Sequence, residues 1–98
     1  MIEYLKAYNL TTKEYNYLCN NLDQDLINRM AIMQDNVCEI LQFLADIGIK
    51  NLVAVLMYRP DLCFRNINML KKQISELEPK MLVSIIDNNI DDLVCFNI

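Results

Sequence analysis

The sequence predicts an all-α fold in which about three helix-turn-helix units, each turning a right angle, pack as one small domain. Three observations carry that prediction. First, a short phrase recurs: Leu52-Val53-Ala54-Val55-Leu56 with Asp61-Leu62-Cys63-Phe64 returns as Leu82-Val83-Ser84-Ile85-Ile86 with Asp92-Leu93-Val94-Cys95-Phe96. A fainter copy, Tyr15-Asn16-Tyr17-Leu18 with Asp25-Leu26, lies near the N-terminus. Repetition at a period of roughly 30 to 40 residues marks stacked helical units, none of which can bury its apolar face alone. The units would span roughly 4–27, 43–64 and 74–96. Second, Leu26, Met30, Met33, Val37, Ile40, Leu44 and Ile47 alternate spacings of four and three without a miss, which is the a/d stripe of a helix. Third, one Gly and two Pro in 98 residues leave little material for hairpins, and no stretch alternates like a half-buried strand.

The elements follow in order. Ile2 to Tyr8 reads as a short helix with Leu5 inward. Thr11-Thr12-Lys13-Glu14 is a capping-box pattern, and Tyr15, Leu18 and Cys19 give the helix after it an apolar face. The stripe from Gln24 to Ile47 is one helix or two nearly in line, with Gln34-Asp35-Asn36 as the place of a break. Ile27, Ala31, Leu41 and Phe43 widen its face, which favours packing inside the domain. The same spacing also suits a coiled-coil seam, so a homodimer through Leu26, Met30, Met33, Val37, Ile40 and Leu44 is a second expectation.

Gly48 fits the left-handed position that closes a helix, and Asn51 is placed to cap a short helix, Leu52 to Tyr58. Pro60, lacking an N–H and restricting Arg59, stops that helix. Asp61 to Phe64 is a single turn. Asn66 caps a helix from Ile67 to about Leu77. Pro79 suits the first turn of a helix reaching Asn88-Asn89, and Asp91 to Phe96 is a further turn. The twelve Asn residues suit such caps and turns better than helix interiors.

Composition narrows the function. Hydrophobic residues make up 54% and charged residues 22% of the chain, a balance that supports a packed core rather than disorder. The net charge of −4 is the reverse of what a duplex-binding surface needs to displace counterions. With no His and one Gly, an imidazole base and a glycine-rich phosphate loop are both excluded. Asp23/Asp25, Glu76/Glu78 and Asp91/Asp92 are spaced so that neighbours diverge on a helix, which suits no shared acid–base site. Cys19, Cys38, Cys63 and Cys95 form no CxxC pair and lie among apolar residues, so they read as small buried hydrophobes rather than zinc ligands. The expectation is a non-enzyme without cofactor or metal. Without a leader and with unpaired thiols, it belongs in a reducing, cytoplasmic compartment, away from membranes.

The middle unit resembles the repeat of the mitochondrial transcription termination factor (mTERF) family. The residues are Ile40-Leu41-Gln42-Phe43-Leu44-Ala45-Asp46-Ile47-Gly48-Ile49, then Leu52, Val55 and Leu56, then Arg59-Pro60-Asp61-Leu62, within a best match over residues 40–64. In that family a helix ending in Leu-Gly-Leu or similar precedes a short helix closed by Pro-x-Leu. Its triangular three-helix units stack into a curved solenoid. The resemblance implies nucleic-acid binding through basic residues, for which Arg59, Arg65, Lys71 and Lys72 are the candidates. Gly48 and Pro60 have no counterparts in the other two units.

Taken together, the residues favour a small binding module for a protein partner, using an apolar groove beside the short helix. Leu52, Val55, Met57 and Tyr58 are its first-choice anchors. Nucleic-acid binding of the mTERF kind is the alternative, and an acidic inhibitor occupying a basic groove of a nucleic-acid-binding protein is a third reading. The tyrosines near the N-terminus, Tyr4, Tyr8, Tyr15 and Tyr17, are expected to cover the open end of the stack. Met30, Met33, Met57, Met69 and Met81 are expected mainly to fill the core.

Overall fold

Local signals fix most helix ends in the computed structural model, which describes residues 1–98. Helix α1 (Thr12–Asn21) opens on the expected capping box: Glu14 N–H donates to Thr11 Oγ1 at 3.1 Å, and Thr11 N–H donates to Glu14 Oε1 at 3.0 Å. Thr11→Ala removes one half of that exchange and should cost about 1 kcal/mol in a urea melt. Helices α2 (Gln24–Ile32) and α3 (Gln34–Asp46) are separate, joined at Met33 with φ −98° and ψ 31°. The break consumes one residue, so the stripe keeps its spacing across it, which is why the pattern alone left continuity open.

Gly48 closes α3 in the left-handed region at φ 104°. Ile49 N–H reaches back to Leu44 O at 3.0 Å and Gly48 N–H to Ala45 O at 3.1 Å, the paired closure of a Schellman motif. Helix α4 (Leu52–Tyr58) begins where Asn51 Oδ1 accepts from Ala54 N–H at 3.3 Å and ends before Pro60. Helix α5 (Ile67–Ile74) is capped by Asn66 but stops short of Leu77, where the Ser75 hydroxyl donates to Lys72 O at 2.7 Å. Helix α6 (Pro79–Asn89) carries its proline in the first turn. Three 3₁₀ segments complete the chain: Glu3–Tyr8, Pro60–Phe64 and Ile90–Phe96. The last ends like α3, with Asn97 left-handed at φ 60° and Ile98 N–H bonded to Leu93 O at 3.1 Å.

The fold is all-helical, as the sequence predicts. Both strong copies of the recurring phrase form an α-helix followed by a 3₁₀ corner, α4 with Pro60–Phe64 and α6 with Ile90–Phe96. The fainter copy does not, because its Asp25-Leu26 pair lies inside α2.

Helices α3 and α4 form the centre. The first packs against the N-terminal 3₁₀ segment, α2, α4, α5 and the Pro60–Phe64 corner; the second packs against α1, α3, α6 and both later corners. Asn36 on α3 locks the first of these corners by donating to Cys63 O at 2.8 Å and Arg65 O at 3.1 Å. The 23 buried residues are all apolar, and no polar or charged residue is among them.

Burial corrects several expectations. Met30, Val37, Ile40 and Leu44 are at most 1% exposed, with Leu26 and Met33 half-buried at the same seam. The stripe is spent on this domain's own core and offers no homodimer seam. Cys19 is exposed and does not contribute to the inner face of α1. Met69 and Met81 lie on the surface, and only Met30 among the methionines is fully enclosed.

Two N-terminal tyrosines fasten the first segment down: Tyr4 Oη donates to Met30 O at 2.8 Å and Tyr8 Oη to Cys38 O at 3.2 Å. Burial raises the Tyr4 hydroxyl above its usual range and pushes that of Tyr8 up to about 12. Burial also pushes the Cys63 thiol up to about 12. Each group keeps its proton in the folded chain at a pH where the unfolded chain has released it, so the unfolded state binds fewer protons and stability falls as pH rises. The contribution is whole below the ordinary values, 9.0 for the thiol and 10.0 for the phenols, and is lost as pH climbs through about 12. Urea midpoints should therefore stay level to about pH 9 and decline above it. Tyr4→Phe should make that decline shallower and lower the neutral-pH stability by about 1 kcal/mol.

Candidate functional site

Helix α4 is short and apolar along its whole length, and its two faces do different work. Leu52, Val55 and Leu56 point one way and are at most 2% exposed. A helix turns about 100° per residue, so Val53 and Met57 form one row on the other side and Ala54 and Tyr58 the next. Those two rows line a groove of about 410 Å³ against α1, whose Lys13, Glu14 and Tyr17 form the opposite wall. Tyr17 and Tyr58 are 51% and 64% exposed. Leu18, one position past Tyr17, is fully enclosed and anchors α1 to the core.

Of the four anchors expected from sequence, the groove thus has two. Met57 and Tyr58 line it, whereas Leu52 and Val55 are core residues and present no surface to a partner. Val53, Ala54 and Tyr17 complete it. Tyr17 was grouped by sequence with the tyrosines that cover the end of the stack, although its spacing of four from Lys13 and its offset from Leu18 put it on the outer face of α1.

A second hollow, of about 250 Å³, adjoins the first across Asn51, Ala54 and Tyr58. Its far wall is the α6 end and the start of the last corner, including Asp87, Asn88 and Asp91. Neither carboxylate belongs to an ion pair; the chain's ion pairs are Met1–Glu3, Arg59–Asp61 and Arg65–Asp61. No basic side chain lines this hollow.

The four basic candidates for nucleic acid do not act together. Arg59 lays Nε and Nη2 on the two Asp61 oxygens, each at 3.0 Å, and Nη2 also donates to Ile98 O at 2.7 Å. Arg65 Nη2 meets Asp61 at 2.9 Å and Ile98 O at 3.1 Å, while Nη1 reaches Gln73 Oε1 at 3.3 Å. These bonds tie the Pro60–Phe64 corner to the chain's last residues. The Arg59 side chain is 12% exposed, and its Nη1 is buried without a partner. The hydrogen bonds from Arg59, and the charges of both arginines, hold the Asp61 carboxyl below its ordinary value. Lys71 sits over the Phe43 ring at 5.5 Å, and Lys72 is exposed. Two of the four cations are therefore structural.

No three Cys, Asp or Glu side chains converge in a way that would hold a metal. Cys63 is enclosed and its raised thiol makes it a poor nucleophile. No helix is long and apolar enough to cross a membrane. Comparison with protein-family models, with curated proteins and with solved structures finds no match to this chain.

Proposed function

We propose that the chain is a non-catalytic binding module that takes a segment of a protein partner into the groove between α1 and α4. The observation that carries this reading is the pairing of Tyr17 and Tyr58, both half or more exposed, around an apolar groove of about 410 Å³. Tyrosine is favoured at recognition surfaces because its rigid ring buries a large area for little lost entropy. Met57 between them is an adaptable contact. The volume falls within the range of pockets that enclose a ligand group.

Nucleic-acid binding, which the mTERF resemblance implies, has less support. Arg59 and Arg65 are committed to Asp61 and Ile98, which leaves Lys71 and Lys72 on a chain of net charge −4. The acidic-inhibitor reading has one observation in its favour, the unpaired Asp87 and Asp91 beside the groove.

The test is a pull-down from host extract with the wild-type chain and with Tyr17→Ala/Tyr58→Ala, alongside titration with mixed DNA and RNA at about 50 and 200 mM salt. Both tyrosines are exposed, so the double variant should keep its stability within about 1 kcal/mol. It should nevertheless lose captured protein by ten-fold or more, the cost of removing aromatic hot spots. Salt-sensitive nucleic-acid binding that survives the double variant would instead favour the mTERF-like reading.

A further inference from the structure

The two hollows flanking Tyr58 differ in chemistry, and the difference specifies an occupant. On the α1 side the lining is Tyr17, Val53, Met57 and Tyr58, with Lys13 and Glu14 offsetting each other at the rim. On the α6 side the amides and carboxylates of Asn51, Asn88, Asn89, Asp87 and Asp91 join Ile86 and Ile90, with no cation. Both carboxylates lack an ion-pair partner.

The chain's own aromatic rings supply a second, independent contrast. Lys6 covers Tyr15 at 4.6 Å, Arg29 covers Phe64 at 4.3 Å, and Lys71 covers Phe43 at 5.5 Å. Tyr4 and Tyr8 are held by hydrogen bonds to carbonyls. Tyr58, the ring between the two hollows, has neither kind of partner and is 64% exposed; Tyr17 and Phe96 also lack one, but of the three only Tyr58 borders a hollow that holds carboxylates and no cation. An uncovered ring beside two unpaired carboxylates is the setting a guanidinium fits best. Its plane stacks on the ring, and its fork of N–H donors meets carboxylate oxygens.

Resting on the groove reading above, we infer that the partner is a peptide segment carrying a large apolar or aromatic side chain close to an arginine. The apolar side chain fills the hollow between Tyr17 and Met57. The arginine crosses Tyr58 to reach Asp87 and Asp91. Lysine serves less well at that place, because a compact ammonium gives up the stacking and the two-pronged contact.

Selection of displayed random dodecapeptides on the full chain, followed by anisotropy titration of the enriched sequences, tests this. Enriched peptides should pair an aromatic or long aliphatic residue with an arginine a few positions away. Replacing that arginine by lysine should weaken binding several-fold. Asp87→Lys/Asp91→Lys should weaken it roughly ten-fold, and an arginine-to-glutamate peptide should recover binding to that variant. Asp87→Asn/Asp91→Asn, which keeps the size of both side chains, should give a smaller loss in the same direction. Each variant's helical signal and melt confirm that it is folded. Peptides with apolar anchors, no basic residue and indifference to both Asp variants, yet lost on Tyr17→Ser/Tyr58→Ser, would overturn the arginine assignment and leave the groove standing. Retention of no peptide, or retention that ignores Tyr17→Ser/Tyr58→Ser, would overturn both.

Discussion

Leu56→Asp should abolish cooperative folding at neutral pH, whereas Tyr58→Asp, two residues further along the same helix, should shift the melting midpoint by only a few degrees. Leu56 is fully enclosed, and Tyr58 is 64% exposed. Truncating a buried leucine costs about 2–5 kcal/mol. Placing a carboxylate in an apolar site with no polar residue among its buried neighbours costs several more. Together these are comparable with the whole stability of a small domain, about 5–15 kcal/mol. At Tyr58 the new carboxylate stays in water. Circular dichroism and urea melts of the two variants decide the matter. A cooperative, near-wild-type melt for Leu56→Asp would mean that the inward face of α4 is wrongly assigned, and with it the groove on the opposite face.

That contrast also shows where sequence reading reaches its limit. Signals that act within one turn were legible: Thr11 with Glu14, Gly48 after α3, Asn51 and Asn66 as caps, and proline at positions 60 and 79. Each works on backbone groups a few residues away, so the local sequence contains the whole interaction. The stripe through α2 and α3 was legible as a buried face because it runs long enough to establish a phase. Helix α4 was not. Its seven residues, Leu52 to Tyr58, are all apolar or aromatic, so no polar residue marks the outward side. Choosing Leu52 and Val55 together with Met57 and Tyr58 mixed its two faces.

The engagement of Arg59 and Arg65 was hidden for a different reason. Arg59 and Arg65 look free in sequence because part of what holds them, the Ile98 carbonyl, lies 39 and 33 positions away. Periodicity carries no information at such a distance. The nearer partner, Asp61, lies two positions from Arg59 and four from Arg65 and was visible, but sequence alone does not say whether such a pair closes on itself or stays open to a phosphate. The acidic wall of the second hollow is equally non-local. It exists only because α6 returns beside α4, bringing Asp87 and Asp91 up to Tyr58.

Arg59→Ala should cost about 2–4 kcal/mol, the range for losing charge-assisted hydrogen bonds from a side chain largely out of water. The loss should concentrate on the last corner. Arg59 and Arg65 converge on Ile98 O, so amide exchange at Asn97 and Ile98 should accelerate more than exchange in α3. Asp61→Asn tests the same junction through pH. The Asp61 carboxyl titrates below its ordinary 3.8, first because of the hydrogen bonds from Arg59 and then through the charges of both arginines. Its stabilising contribution is therefore whole above that ordinary value and disappears as pH falls through the depressed one. Wild type should lose stability below about pH 4 more steeply than Asp61→Asn, and the two curves should converge at the acid end. The alternative anchor for this segment is apolar, since Leu93 is fully enclosed and Ile98 is 5% exposed. Under that alternative, Leu93→Ala would release the segment while Arg59→Ala would leave its exchange unchanged. If the arginines hold it, both variants accelerate exchange, but only the arginine and Asp61 variants alter the acid limb.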